Sequence, residues 1–210
     1  GRNAGYLTST LPAQNTCGLM AVLAIVAAPI PHVLAIGLLP DTLLTPLSLG
    51  LMLMALRWLS KEYFNVSDWV FTGVLLGLSG LSKYTAAFSA LALLLVFLSS
   101  PRKNWINTTG FWLAAIIALF CISPVLYWNW ANDWISFKYQ IAHGAGSTWL
   151  WRKLAAYVGL QILVYGPLLL LGTYLFIKYC VHGAKLSVWA LLGFFVIPFA
   201  IFTTLSGGGG

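Results

Sequence analysis

Apolar residues run along this chain in long stretches separated by short polar breaks, without the strict alternation of a half-buried strand. Reading between the breaks predicts helices at about 18–39, 43–59, 69–82, 84–98, 111–128, 155–177 and 186–205. A bilayer core about 30 Å thick needs roughly 20 apolar residues per helix, so most of these runs are long enough to cross. The third and fourth are short: the residues from Trp69 to Ser82 extend only about 21 Å at 1.5 Å per residue.

Residues 69–98 pose a choice. One continuous helix would put Lys83 at its middle, at a cost of at least about 2.5–3.5 kcal/mol for an ammonium at mid-bilayer. The run Gly77-Leu78-Ser79-Gly80-Leu81-Ser82 just before that lysine concentrates small, permissive residues. A short hairpin broken at Lys83 is the reading that cost and composition favour. A further amphipathic helix is predicted over about 132–142, because Trp130, Trp134, Phe137 and Ile141 recur at helical spacing. Asn132 or Asp133 would cap its start and Gly144 its end, and it would lie on the membrane interface.

Composition supports lipid as the solvent. Of 210 residues, 60% are apolar and 7% charged, too few charges to cover a water-soluble surface. Since only helices and closed barrels satisfy every backbone group in hydrocarbon, the fold class is all-α: a polytopic helical membrane protein. Residues 1–205 form a single transmembrane domain, and 206–210 read as a Gly-rich end or linker. That ending, with the absence of an initiator Met, marks the chain as a fragment of a larger protein.

The net charge of +7 reports orientation, because the basic residues sit singly or in pairs between apolar runs and form no nucleic-acid patch. With the hairpin, Arg2, Arg57, Lys61, Arg102, Lys103, Lys178 and Lys185 share the inner side, and Lys83, Lys138, Arg152 and Lys153 the outer. Trp58, Trp69, Trp105, Trp112, Trp128, Trp130, Trp149 and Trp151 fall at or near span ends, where tryptophan prefers to sit. Cys17, Cys121 and Cys180 lie in or beside apolar stretches and read as buried thiols. Asn65-Val66-Ser67 and Asn107-Thr108-Thr109 match the glycosylation pattern but fall on the inner side, as chance matches.

Three polar features then share the outer side. Asp41, in the short link Pro40-Asp41-Thr42, is either a helix cap or an acid facing a cavity. Lys83, beside Tyr84 at the hairpin tip, either snorkels to the surface or meets an anion such as a phosphate. The segment from Asn129 through Asp133, Lys138, Gln140 and His143 is either an anchor or one wall of a cleft. His143 has no Cys or second His at ligand spacing, so neither a metal site nor a cofactor is predicted.

These residues also carry a resemblance. Leu39-Pro40-Asp41-Thr42 before an apolar run, Gly77 to Ala86 around Lys83, Ser100-Pro101-Arg102, and Pro124 to Asn129 followed by Asp133-Trp134-Ile135-Ser136-Phe137 and Gln140 together resemble bacterial family 39 glycosyltransferases. Those enzymes are relatives of protein O-mannosyltransferases and of the aminoarabinose transferases that modify lipid A. The likeness covers about residues 1–170.

It implies a C-type glycosyltransferase fold and an inverting hexosyl- or pentosyltransferase of the cell envelope. The donor would be a polyprenyl-phosphate sugar and the acceptor a lipid, glycan or protein. The enzyme would sit in the bacterial inner membrane with its active face periplasmic or extracellular. By motif, Asp41 matches a second acidic position and Lys83 a donor-phosphate site; the main base would lie upstream of residue 1. Lys138, Arg152 and Lys153 are further phosphate candidates, and Tyr84, Asn129, Asp133, Gln140 and His143 would line the cleft. The competing class is a transporter or flippase with Asp41 and Lys83 on its path, though the paired halves such a protein shows are not found.

Overall fold

The computed structural model describes residues 40–61, 63–100, 104–145, 149–163 and 186–207, together with Leu19, Tyr174 and Ile177. Side chains of 143–145 are not among the described parts, and the span expected at about 18–39 falls outside them except for Leu19. Among the described residues the helices are α1 (Pro40–Ser60), α2 (Val66–Ser82), α3 (Ala86–Ser99), α4 (Thr109–Ala131), α5 (Ile135–Ala145) and α6 (Leu186–Ser206), with a 3-10 turn at Trp105–Asn107. Residues 151–163 are helical too, and no strand occurs among the described residues. By length and composition α1, α4 and α6 can each cross a membrane, while α2 and α3 are shorter apolar helices.

The hairpin expected over 69–98 is present, broken at Lys83, Tyr84 and Thr85. Its first arm starts three residues before the apolar run does, at Val66, and the reason is local. The Asp68 carboxylate accepts the Asn65 backbone N–H at 3.1 Å, so a charged residue joins the first turn of α2 as part of its cap. Both glycosylation-like triplets have structural uses of this kind. Asn65 caps α2, and the Thr108 hydroxyl accepts the Phe111 N–H to open α4.

Helix α5 begins at Ile135, not at 132 as the periodicity suggests. Asp133 and Trp134 adopt positive φ, 53° and 57°, which interrupts the helix and puts Trp130 on α4. The Asn132 side chain accordingly serves the preceding helix, donating from Nδ2 to the Trp128 carbonyl at 2.7 Å. The far end also differs, because α5 continues to Ala145 and so takes Gly144 into its last turn.

Packing follows the small residues. Helix α2 lies along α4, with Gly73, Gly77 and Gly80 against Ala114, Ala118, Cys121 and Ile122. Helix α1 packs on α2, α3 and α6, and α6 completes the bundle against α3. On its other side α4 presents Trp112, Ile116, Leu119, Phe120 and Tyr127, all exposed, as a lipid-facing surface.

The bundle has two distinct ends. At one, Trp58 meets Phe64, Trp69 and Phe97 with ring centroids 4.9–5.4 Å apart, beside Trp105. Arg57 and Lys61 converge there on the buried Asp68, at 3.2 and 2.7 Å. The opposite end gathers the start of α1, the α2–α3 break, the α4–α5 turn and the end of α6.

Candidate functional site

At that second end, α1, α3 and α6, with Lys83 and Thr85 of the break, line an open cavity of about 410 Å³, within the range of small-molecule sites. Its mouth holds the two charges that the sequence singles out. The Lys83 ammonium donates to both carboxylate oxygens of Asp41, at 2.9 and 2.8 Å. Asp41 occupies the first turn of α1, where the free N–H groups favour a negative charge. Lys83 follows the last residue of α2 in extended backbone, φ −160° and ψ 144°. A second stitch joins the same elements, since the Ser82 hydroxyl donates to the Pro40 carbonyl at 2.6 Å.

Both partners of the pair are half-buried, with side chains 40% and 37% exposed. Solvent screening at that exposure leaves such a pair worth only about 0–1 kcal/mol to the fold. Its significance lies in where it points.

Beside the pair, the lining mixes hydroxyls with hydrocarbon. Thr45, Thr85, Ser48 and Ser89 supply the hydroxyls, the two serines being 3.1 Å apart across α1 and α3, and interleaved with them are Leu44 and Phe88, whose ring lies 5.3 Å from that of Phe202. Further along α1 the wall is Leu49 and Met52, joined by Phe194 of α6. From Asp41 to Met52 the descent is about 16 Å along α1. The lined face of α3 continues past Ser89 into a second hollow of about 540 Å³ between α3 and α6, which is apolar and passes Ala92, Val96, Gly193 and Ile197.

Tyr84, next to Lys83, belongs to a separate cluster. Its ring lies 4.9 Å from that of Phe137 on α5, and its hydroxyl oxygen accepts from Asn129 Nδ2 at 3.2 Å. Asn129 is fully buried, and its second amide N–H goes to the Val125 carbonyl at 2.9 Å. Its backbone carbonyl accepts the Trp134 N–H at 2.7 Å, pinning the left-handed turn into α5. Asn129 Oδ1 has no partner among the described residues, which costs about 1–3 kcal/mol for a buried acceptor.

The structure thus brings Asp41 to Lys83, and Tyr84 to Asn129. Asp133, Lys138 and Gln140 are on the turn and on α5, away from the cavity lining, and Arg152 is exposed within helical residues 151–163. Lys153 is half-buried in that same segment, and the His143 side chain lies outside the described parts. No group of three His, Cys, Asp or Glu side chains assembles among the described residues. Sequence reasoning misses Thr45, Ser48 and Ser89, whose spacing along α1 and α3 is the signal for a hydroxyl-lined wall.

A family model described as dolichyl-phosphate-mannose-protein mannosyltransferase matches residues 6–128. No curated protein and no solved structure matches the chain.

Proposed function

The chain belongs to the dolichyl-phosphate-mannose-protein mannosyltransferase family and is a membrane glycosyltransferase; on that premise we propose that its donor is a polyprenyl-phosphate sugar. The acceptor is a hydroxyl or phosphate of a lipid, glycan or protein at the outer face of a bacterial inner membrane. The observation that carries this reading is the order of chemistry along the α1 side of the cavity: a carboxylate paired with a cation at Asp41, hydroxyls at Thr45 and Ser48 with Leu44 beside them, and hydrocarbon alone at Leu49 and Met52. An amphiphile with an anionic head and an apolar tail matches that order in one orientation. Its phosphate meets Lys83, its tail descends past Met52 and along α3, and its sugar projects outward to the acceptor.

The chemistry suits the residues. As the acceptor oxygen attacks the anomeric carbon from the side opposite the phosphate, the bond to phosphate breaks and its electron pair leaves with the polyprenyl phosphate. Lys83 stabilises that growing charge. The acceptor proton passes to a carboxylate. Both oxygens of Asp41 are engaged by Lys83, which supports a positioning role for this acid.

Binding of undecaprenyl phosphate, with neutral undecaprenol as control, tests the proposal. Lys83→Ala should weaken the phosphate by about tenfold to a hundredfold, as expected for one charge-assisted contact, and leave the neutral lipid unchanged. Equal affinity of wild type and variant for the phosphate would remove Lys83 from the site.

A further inference from the structure

We propose that Asn129 is a positioning residue that acts through Tyr84 to aim Lys83 into the cavity, resting on the reading of Lys83 as the cation that meets the donor. The orientation of its carboxamide follows from chemistry. Val125 presents a carbonyl, which only accepts, so the amide nitrogen must face it. The remaining N–H of that nitrogen then points at the Tyr84 oxygen, and Tyr84 is the acceptor of the bond.

This is a poor arrangement for stability alone. It leaves Oδ1 fully buried without a partner among the described residues. Leucine, of similar volume, would fill the space without an orphaned amide oxygen and leave the Val125 carbonyl within the hydrogen-bonded ladder of α4, giving up only the contact with the Tyr84 hydroxyl. What asparagine adds is the bond to Tyr84.

That bond matters because Tyr84 and Lys83 share one short break and are held from opposite flanks. On one flank Asp41 takes the Lys83 ammonium and the Pro40 carbonyl takes the Ser82 hydroxyl. On the other, Asn129 takes the Tyr84 hydroxyl and Phe137 its ring. A lysine on a flexible four-carbon stem samples many rotamers, and it stays on Asp41 only while its backbone carries it within reach. With Tyr84 anchored, the break keeps that distance, and Lys83 stays beside Asp41 at the cavity mouth.

The test reads the Lys83 amine directly, in the full-length protein in lipid nanodiscs. The rate at which an amine-acylating reagent modifies Lys83, followed by peptide mass, is compared for wild type, Asn129→Leu, Tyr84→Phe and the double variant. Each single change should raise the rate several-fold, while the thermal midpoint of Asn129→Leu stays level or rises. The double variant should react no faster than the faster single one. Tyr84→Phe keeps the ring on Phe137, so it remains decisive even if Asn129→Leu folds badly. An unchanged rate in Tyr84→Phe overturns the proposal, as does additivity of the two changes. Undecaprenyl phosphate binding by wild type tests the donor reading separately, and the labelling result stands whichever way that falls.

Discussion

Gly77→Leu should prevent α2 from closing on α4 and destabilise the protein by about 3 kcal/mol or more, the upper range for forced overpacking. Even a single Cβ at Gly77 would collide with the Cβ of Cys121, and one at Gly73 would lie 2.6 Å from the Ala114 carbonyl oxygen. These obstacles are backbone or sit next to it, so no side-chain rotation relieves them. Hydrocarbon gives two apolar helices no hydrophobic reason to associate, and close van der Waals contact has to hold them. Unfolding in mixed micelles measures the effect. Gly159→Leu is the control, since a Cβ there has nothing within 4 Å, and its change should stay within about 0.5 kcal/mol. Wild-type stability in Gly77→Leu would mean that α2 and α4 are not packed along this glycine face.

The combined change Arg57→Ala with Lys61→Ala should cost about 3–5 kcal/mol, because it strands a buried carboxylate. Asp68 is 4% exposed and is held by Arg57 at 3.2 Å, Lys61 at 2.7 Å and the Asn65 N–H at 3.1 Å. Each cation is partly in solvent, so either single variant should lose much less while the other remains. Adding Asp68→Asn to the double variant should recover most of the loss by removing the charge. Thermal unfolding of wild type, the two single variants, the double and the triple checks this. A double variant within about 1 kcal/mol of wild type would show that the cluster does not carry the α1–α2 turn.

Much of the fold is legible in the chain because lipid leaves so few choices. Apolar run length places α1, α4 and α6 to within three residues, and the cost of a buried ammonium places the break at Lys83. Where a helix starts is less legible, because that depends on single hydrogen bonds. Counting apolar residues excludes Asp68 from a helix, whereas a neighbouring N–H and two distant cations admit it. Periodicity likewise joins Trp130 to Trp134, since nothing in a hydrophobic pattern reports a positive φ at Asp133.

The candidate site is half legible. Asp41 and Lys83 stand out as rare charges beside apolar runs, but their pairing across 42 positions needs the packing of α1 against the α2–α3 break. Gly73 and Gly77, four apart, carry the small-residue spacing of a close helix crossing. Beside Lys83, Gly77 reads in sequence only as a sign of flexibility, because the helix it packs against lies some forty positions away.

The brevity of α3 has a consequence for the membrane itself. Its 14 residues rise about 21 Å, some 9 Å less than an average hydrocarbon core. A bilayer can answer such hydrophobic mismatch by thinning next to the short element, at a fraction of a kcal/mol per ångström. Thinning beside α3 would draw the headgroup plane toward the bilayer centre and lipid-borne phosphates toward Lys83. On the donor reading proposed above, a polyprenyl phosphate would then reach the cavity mouth by sideways diffusion, with its tail still in hydrocarbon.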